Sequence, residues 1–280
     1  MNIPEFKTLP RAVAIDLDGT LLNSRTELSE RNCQALERCL ERGIPIIIAT
    51  SRPARIFDRI FPQNLTQKCS YILMNGALAK GNPPLTGYIK ENLPYETLRG
   101  IIDCALKEDP HVRITLEIEG YEFGTNWHWD PTTLWQRNSA TPEMVLTLEE
   151  ALKRNPCKIA LGNTDVPKME KCLTQQFGER VSIIAAYLTN PILNITTKNA
   201  TKPSAIRELL EPLGISLSEV LAFGDDTPDI DMLKECGISV SMANAFPEVK
   251  AVCKYQTTSN DEDGVALVLE KMLEQIQVKI

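Results

Sequence analysis

A run of four apolar residues, Ala12-Val13-Ala14-Ile15, leads directly into Asp16-Leu17-Asp18-Gly19-Thr20. A short unbroken apolar run suits a strand buried on both faces, as in a parallel sheet. Strand side chains alternate with a period of two, so Asp16 and Asp18 are expected on the same side at the strand's carboxyl end. Gly19 then permits a sharp turn. Two carboxylates held together repel and call for a cation or a shared proton. The carboxyl edge of an open α/β sheet is also where ligands bind. The pattern points to an aspartyl nucleophile assisted by magnesium, with an acid/base partner. Taken alone, Asp-x-Asp-Gly is an ordinary polar turn. A calcium loop starting at Asp16 would place Thr20 at its fifth position and Glu27 at its twelfth. The fifth position lacks a carboxylate or amide, and the residues before the loop are strand-like rather than helical.

The strand rhythm continues. Ser29 caps an expected helix over 29–42 with an apolar stripe at Cys33, Leu36, Cys39 and Leu40, stopped by Gly43. A second apolar run, 44–49, precedes a short helix near 53–61, a strand at 71–74 and Asn75-Gly76. Alternating strands and helices predict an α/β core with a doubly wound, mostly parallel, Rossmann-like sheet. Gly81-Asn82-Pro83-Pro84 breaks the rhythm and marks a domain crossing. Beyond it, segments 112–118 and 121–125 flank Glu119-Gly120 as an antiparallel hairpin. Helices near 95–107 and 165–177 join strands near 143–147, 157–161 and 181–186, an α+β pattern. The core rhythm resumes with a strand at 192–197, a helix at 202–213, a strand at 220–223, a helix near 228–235, a strand at 237–241 and a helix near 263–275. The expected organisation is therefore a discontinuous α/β core, residues 1–83 and 189–280, with an inserted α+β cap at 84–188 and linkers near 81–84 and 188–191. Trp127, Trp129, Trp135 and Arg137 are candidates either to line a pocket of the cap or to form its core.

Charge and cysteine usage exclude other classes. Thirty basic against 37 acidic residues give a net charge of −7, unsuited to general nucleic-acid binding. No apolar run is long enough to span a membrane, and the amino-terminal residues lack a secretory pattern. The eight scattered cysteines form no Cys-x-x-Cys, and only His111 and His128 are present. A disulfide framework, a zinc site and a histidine-based triad all lack their residues. A reduced, cytoplasmic protein is expected.

Three further segments carry chemistry. Gly224-Asp225-Asp226-Thr227-Pro228-Asp229 follows the apolar strand 220–223, and Asp225 suits the hard-oxygen shell of Mg²⁺. Capping of the next helix by Asp226 or Thr227 is the plainer reading of part of this segment. Thr50-Ser51-Arg52 closes strand 44–49 with hydroxyls and free amides, a natural phosphate cradle. Lys202 opens a helix after Lys198-Asn199-Ala200-Thr201.

Together these four segments resemble the haloacid dehalogenase superfamily, in particular the Cof-type sugar phosphatases with a subclass IIB cap. Asp16-Leu17-Asp18-Gly19-Thr20 resembles that family's first motif and Thr50-Ser51-Arg52 its second, with Ser51 in place of the usual glycine. Lys202 resembles the third motif's lysine, with Pro203 following where glycine is common. Gly224-Asp225 with Asp229 resembles the fourth, with Pro228 where an asparagine commonly touches phosphate. Asn75-Gly76-Ala77, Met242-Ala243-Asn244-Ala245 and Ser259–Ala266 are further similarities. The resemblance covers residues 12–82 and 190–275.

The resemblance implies Asp16 as nucleophile, Asp18 as acid/base and Lys202 as charge partner. It implies Mg²⁺ held among Asp16, Asp18, Asp225 and Asp229. Thr50, Ser51, Arg52, Asn75, Gly76 and Asn244 would meet the phosphate or the substrate. The implied partner is a small phosphate ester, with no nucleic acid and no membrane, and with a monomer or weak dimer as the assembly. Three alternatives remain: a phosphomutase of the phosphomannomutase kind; a weakly active protein that binds a phosphorylated metabolite, which Pro228 would favour because proline has no donor to offer phosphate; and a response-regulator-like receiver domain, which also uses an aspartate and Mg²⁺ but is too short to explain the insert.

Overall fold

The computed structural model describes residues 2–186 and 191–277. Among these the chain forms two compact units. One contains the chain up to Ser51, Ile60–Tyr88 and everything from Lys202 onward; the other contains Arg52–Arg59 and Ile89–Thr201.

The strands, in chain order, are β1 (Ala12–Asp16), β2 (Ile46–Ala49), β3 (Ser70–Leu73), β4 (Leu78–Lys80), β5 (Tyr88–Lys90), β6 (Arg113–Ile118), β7 (Glu122–Thr125), β8 (Val145–Thr147), β9 (Lys158–Gly162), β10 (Val181–Ala186), β11 (Ile192–Thr197), β12 (Val220–Gly224), β13 (Ile238–Ser241) and β14 (Tyr255–Gln256). Eight of them form one sheet in the order β14-β13-β12-β1-β2-β3-β4-β5. Pairing is parallel from β14 through β3, and β4 joins β3 antiparallel. Every residue of β1, β2 and β12 is buried, as the unbroken apolar runs require of a sheet covered on both faces. Ser29 caps the helix Glu30–Glu41 by accepting the Asn32 amide at 3.0 Å. That helix packs on the helix Gly264–Gln277, where Asn32 Oδ1 accepts the Ala266 amide. The doubly wound, mostly parallel sheet is the architecture that the alternating pattern dictates.

The second unit carries a six-stranded sheet, β10-β11-β9-β6-β7-β8, antiparallel except between β7 and β8. The helices Tyr95–Glu108 and Val166–Phe177 share a buried core with it, built from Leu98, Ile101, Ile114, Leu116, Ile159, Leu173 and Ile195. The 118–122 hairpin turns through Glu119 and Gly120, both with positive φ. A Cβ on Gly120 would lie 2.4 Å from the Ala54 nitrogen, so only glycine allows that approach.

Two boundaries differ from those expected. The strand 192–197, read as a return to the core, pairs with β10 and β9 in the second sheet, so that unit runs on to Thr201 rather than 188. An apolar strand reads the same whichever sheet receives it. The expected 188–191 linker falls mostly outside the described residues. Near the other linker, the first unit extends to Tyr88 rather than 83. The segment 52–59 belongs with the second unit. There Arg55 makes a two-pronged pair with Glu117 at 2.6 and 2.8 Å and donates to the Gly120 and Asn138 carbonyls. Of the cap aromatics, Trp129 packs on the small cluster of Phe123, Leu134 and Ala140, whereas Trp135 is exposed with the Arg59 guanidinium over its ring.

Candidate active site

β1 is the strand from which the sheet order runs both ways, toward β2 on one side and β12 on the other. Register sets Ile15 beside Phe223 and Asp16 beside Ala49. Three neighbouring strands thus end level, releasing Asp16, Asp225 and Thr50 side by side at the sheet's carboxyl edge. Such a switch point leaves a crevice for ligand.

Two glycines make the convergence sterically possible. Gly19 has φ +76°, and a Cβ there would sit 2.3 Å from Asp225 Oδ2. A Cβ on Gly224 would sit 2.6 Å from that of Asp229. The acidic loop after β12 therefore folds tightly against both the β1 loop and its own strand.

Carboxylate oxygens of Asp16, Asp225 and Asp229, all buried, lie within 4.8 Å of one another. Lys202 opens the helix Lys202–Leu210, itself buried, and its Nζ donates to Asp16 Oδ1 and Asp229 Oδ1 at 2.6 Å each. Asp229 Oδ2 accepts the amides of Asp225 and Asp226 at 3.1 and 3.2 Å. Thr20 Oγ1 donates to Asp225 Oδ1 at 2.7 Å. Thr20 is fully buried and was not singled out from sequence; its place directly after the turn glycine was the available signal.

Asp16 and Asp229 share one ammonium with Asp225 close by, and burial in this over-negative cluster shows in the titration of Asp16 and Asp225. Burial, then Asp229, holds the Asp16 carboxyl well above the usual carboxylate range, although Lys202 acts the other way. Burial pushes Asp225 up to about 7 against the bond from Thr20. Burial also works against the Lys202 ammonium, but Asp16 and Asp229 outweigh it and keep its pKa above the ordinary lysine value. An all-oxygen, buried, over-negative donor set fits a hard divalent cation and suits a soft metal poorly.

The remaining expected residues divide. Thr50 is fully buried, tied by its amide to the Ile72 carbonyl and by its own carbonyl to the Asn75 amide. Asn75 and Gly76 form a left-handed turn beside Thr50, with φ of +61° and +105°. Buried Asn75 Oδ1 has no hydrogen-bond partner. Asp18 is half-buried in the β1 loop, bridged to Leu22, and is not one of the three converging carboxylates. Ser51 is exposed at the end of the first unit's segment, and Arg52 begins the segment grouped with the second. Asn244 joins two loops. Its Nδ2 donates to the Gly19 carbonyl at 2.8 Å and its Oδ1 accepts the Asn260 amide, so both ends of the side chain clip loops together. Thr227 directs its hydroxyl to Asp226. Pro228 occupies the first turn after the Asp226 cap, where no N–H is needed.

The chain matches the model of the haloacid dehalogenase-like hydrolases over residues 13–269. A provisionally named phosphatase of Haemophilus influenzae is 30% identical over 267 residues, spanning 93% of this chain and 97% of the relative. The pyridoxal phosphate phosphatase of Escherichia coli is 26% identical over 269 residues, 91% of this chain and 96% of that one. Among solved structures, a HAD subclass IIB sugar phosphatase superposes with a TM-score of 0.75 at 26% identity, over 93% of this chain and 98% of its own.

Proposed function

The chain belongs to the haloacid dehalogenase-like hydrolases and is a phosphatase of that family; from that premise we propose that it is a Mg²⁺-dependent phosphatase of a small phosphorylated metabolite, a sugar phosphate before others, working through an aspartyl-phosphate. The observation that supports this reading is the buried cluster of Asp16, Asp225 and Asp229, in which Asp16 and Asp229 share the Lys202 ammonium.

Asp16 and Asp225 would hold the ion together with the Asp18 carbonyl. When bound, Mg²⁺ offsets the surplus charge and stabilises the transferring phosphoryl group. Asp229 has both oxygens engaged, by Lys202 and by two amides, so its part is to orient Lys202 and shape the loop. Lys202 fixes Asp16 through Oδ1 and leaves the carboxylate to attack phosphorus. The Asp16–phosphorus bond forms as the ester oxygen departs with a proton from Asp18. Asp18 then takes a proton from water, whose oxygen attacks phosphorus and frees Asp16. Thr50, Ser51 and the Asn75-Gly76 turn supply donors for phosphoryl oxygens, and Arg52 meets the substrate body. Relatives that act on pyridoxal phosphate and on sugar phosphates support a compact phosphate ester as substrate.

The test is phosphate release from a panel of sugar, nucleoside and cofactor monophosphates, with Mg²⁺ and with excess chelator. Release of phosphate from some of these esters, stopped by chelator and restored by Mg²⁺, is expected. An isomerised ester without free phosphate would make the protein a mutase. Tight binding without turnover across the panel would sink the hydrolytic reading.

A further inference from the structure

Among the described residues, Cys104 and Cys172 form the one pair whose sulfurs are in contact; Cys33 lies near enough to Cys69 to raise its thiol pKa further. Cys39, Cys69, Cys157 and Cys236 are buried, and burial raises their thiol pKa values to between about 11 and about 12. Cys33 and Cys253 are half-buried. Cys104 and Cys172 differ: their sulfurs lie 3.5 Å apart, both half-buried.

The backbone fixes this approach. Three cross-helix pairs step by about one turn in opposite directions along the helices Tyr95–Glu108 and Val166–Phe177. Gly100 lies against Phe177, where a Cβ would come within 3.0 Å of the ring. Cys104 meets Cys172. Glu108 meets Lys168 at 2.7 Å. The helices are thus antiparallel and in register, and the glycine lets them approach closely. The apolar core behind them holds that register. Gln176 Nε2 reaches both sulfurs, at 3.3 and 3.6 Å, from the exposed side. Closing from 3.5 Å to a covalent bond takes about 1.5 Å of sulfur movement, within reach of side-chain rotation.

We propose that Cys104 and Cys172 are a covalent modification site, a dithiol that a small-molecule disulfide converts into one intrachain disulfide. The Cys172 thiolate attacks a sulfur of the reagent, forming a mixed disulfide and expelling one small thiolate. The Cys104 thiolate then attacks Cys172 Sγ and expels the second. Two protein thiols lose their protons and are oxidised, and one reagent disulfide is reduced to two thiols. Burial pushes the Cys104 thiol up to about 11, so the second step speeds up in alkaline buffer. The bond would join residues 68 apart in sequence and constrain the second unit's unfolded chain.

The experiment treats the folded, full-length protein with oxidised glutathione in mildly alkaline buffer, followed by non-reducing peptide mapping and thiol titration. The expected result is one new cross-linked peptide joining Cys104 to Cys172, loss of two titratable thiols, reversal by dithiothreitol, and a melting temperature higher by about 5 °C. Cys104→Ser and Cys172→Ser should each leave the remaining thiol as a lasting glutathione adduct. Lasting adducts on the wild-type pair would overturn the proposal. So would a different cysteine pair forming first, or a pair that stays reduced while the denatured protein is oxidised.

Discussion

In the first unit Lys202 stands among Asp16, Asp229 and Asp225; in the second Arg55 grips Glu117 with Lys158 on the adjacent strand. Both groups are buried, yet they are built differently. The Arg55 guanidinium is heavily engaged: two bonds to one carboxylate, three to carbonyls, and its face on the Phe123 ring at 4.2 Å. The excess there is positive, and burial holds the Lys158 ammonium below the ordinary lysine pKa. In the first group the excess is negative, and burial, with the neighbouring carboxylates adding to it, raises Asp16 and Asp225. A closed pair holds structure, since breaking it strands a buried charge. An over-negative cluster is unfinished until something cationic arrives, which is what a phosphoryl-transfer site requires. Burial of charge alone therefore does not distinguish an active site; uncompensated charge at a sheet's switch point does.

The contrast can be broken most sharply at Asp16. Asp16→Asn should leave the fold intact and lower phosphatase turnover by roughly 10⁴-fold or more, the scale of losing a nucleophile. Near-normal turnover in the variant would remove Asp16 from the chemistry. At the opposite pole, Arg55→Met should lower the stability of the second unit by about 3 kcal/mol, because Glu117 is left buried without its fork. The rate per folded molecule should change far less than in Asp16→Asn. Pairing it with Glu117→Leu should recover much of the loss in denaturant melts. If the double variant is no more stable than the single, the pair is not the closed unit described here.

A third, smaller effect is a pH dependence with a defined sign. Asp225 ionises near pH 7 in the folded, metal-free protein against 3.8 for the free group. Its ionisation costs nothing below 3.8, costs progressively more as pH rises to about 7, and costs its full amount above that. In chelator, Asp225→Asn should gain stability over wild type across that window, reaching about 3 kcal/mol or less at its upper end. Saturating Mg²⁺ should erase the gain by stabilising only the wild type. A gain independent of pH would show that burial in the cluster does not hold the Asp225 carboxyl above its ordinary range. The smallest effect is expected at Pro228. Since proline suits the first turn it occupies, Pro228→Asn should cost up to about 1 kcal/mol of stability. It should leave kcat/KM within a few-fold if, as proposed, Thr50, Ser51 and the Asn75-Gly76 turn donate to phosphate. A tenfold rise in kcat/KM would mean that proline had left the phosphate site short of a donor.

Much of the candidate site was legible before any fold was drawn. Asp16, Thr50 and Asp225 each end an apolar run, and strand period and loop chemistry are local properties written in a few residues. The cap's hairpin and its two long helices were legible for the same reason. Thr20's bond to Asp225 was not, nor was the commitment of Asn244 to Gly19, because both depend on partners about two hundred residues away.

The sequence by itself determined where the main apolar strands and helices begin and end, which loops carry carboxylates, and that no Cys-x-x-Cys or closely spaced histidine pair is present. Only the tertiary structure decided that Lys202 joins Asp16 across 186 residues. It also decided that the strand 192–197 serves the second sheet, that Arg55 ties segment 52–59 to Glu117, and that two of eight cysteines meet. The physical reason is the same in each case. Backbone propensity and hydrophobic period act over a few residues, whereas strand partnership, charge compensation and sulfur contact are set by which distant surfaces packing brings together.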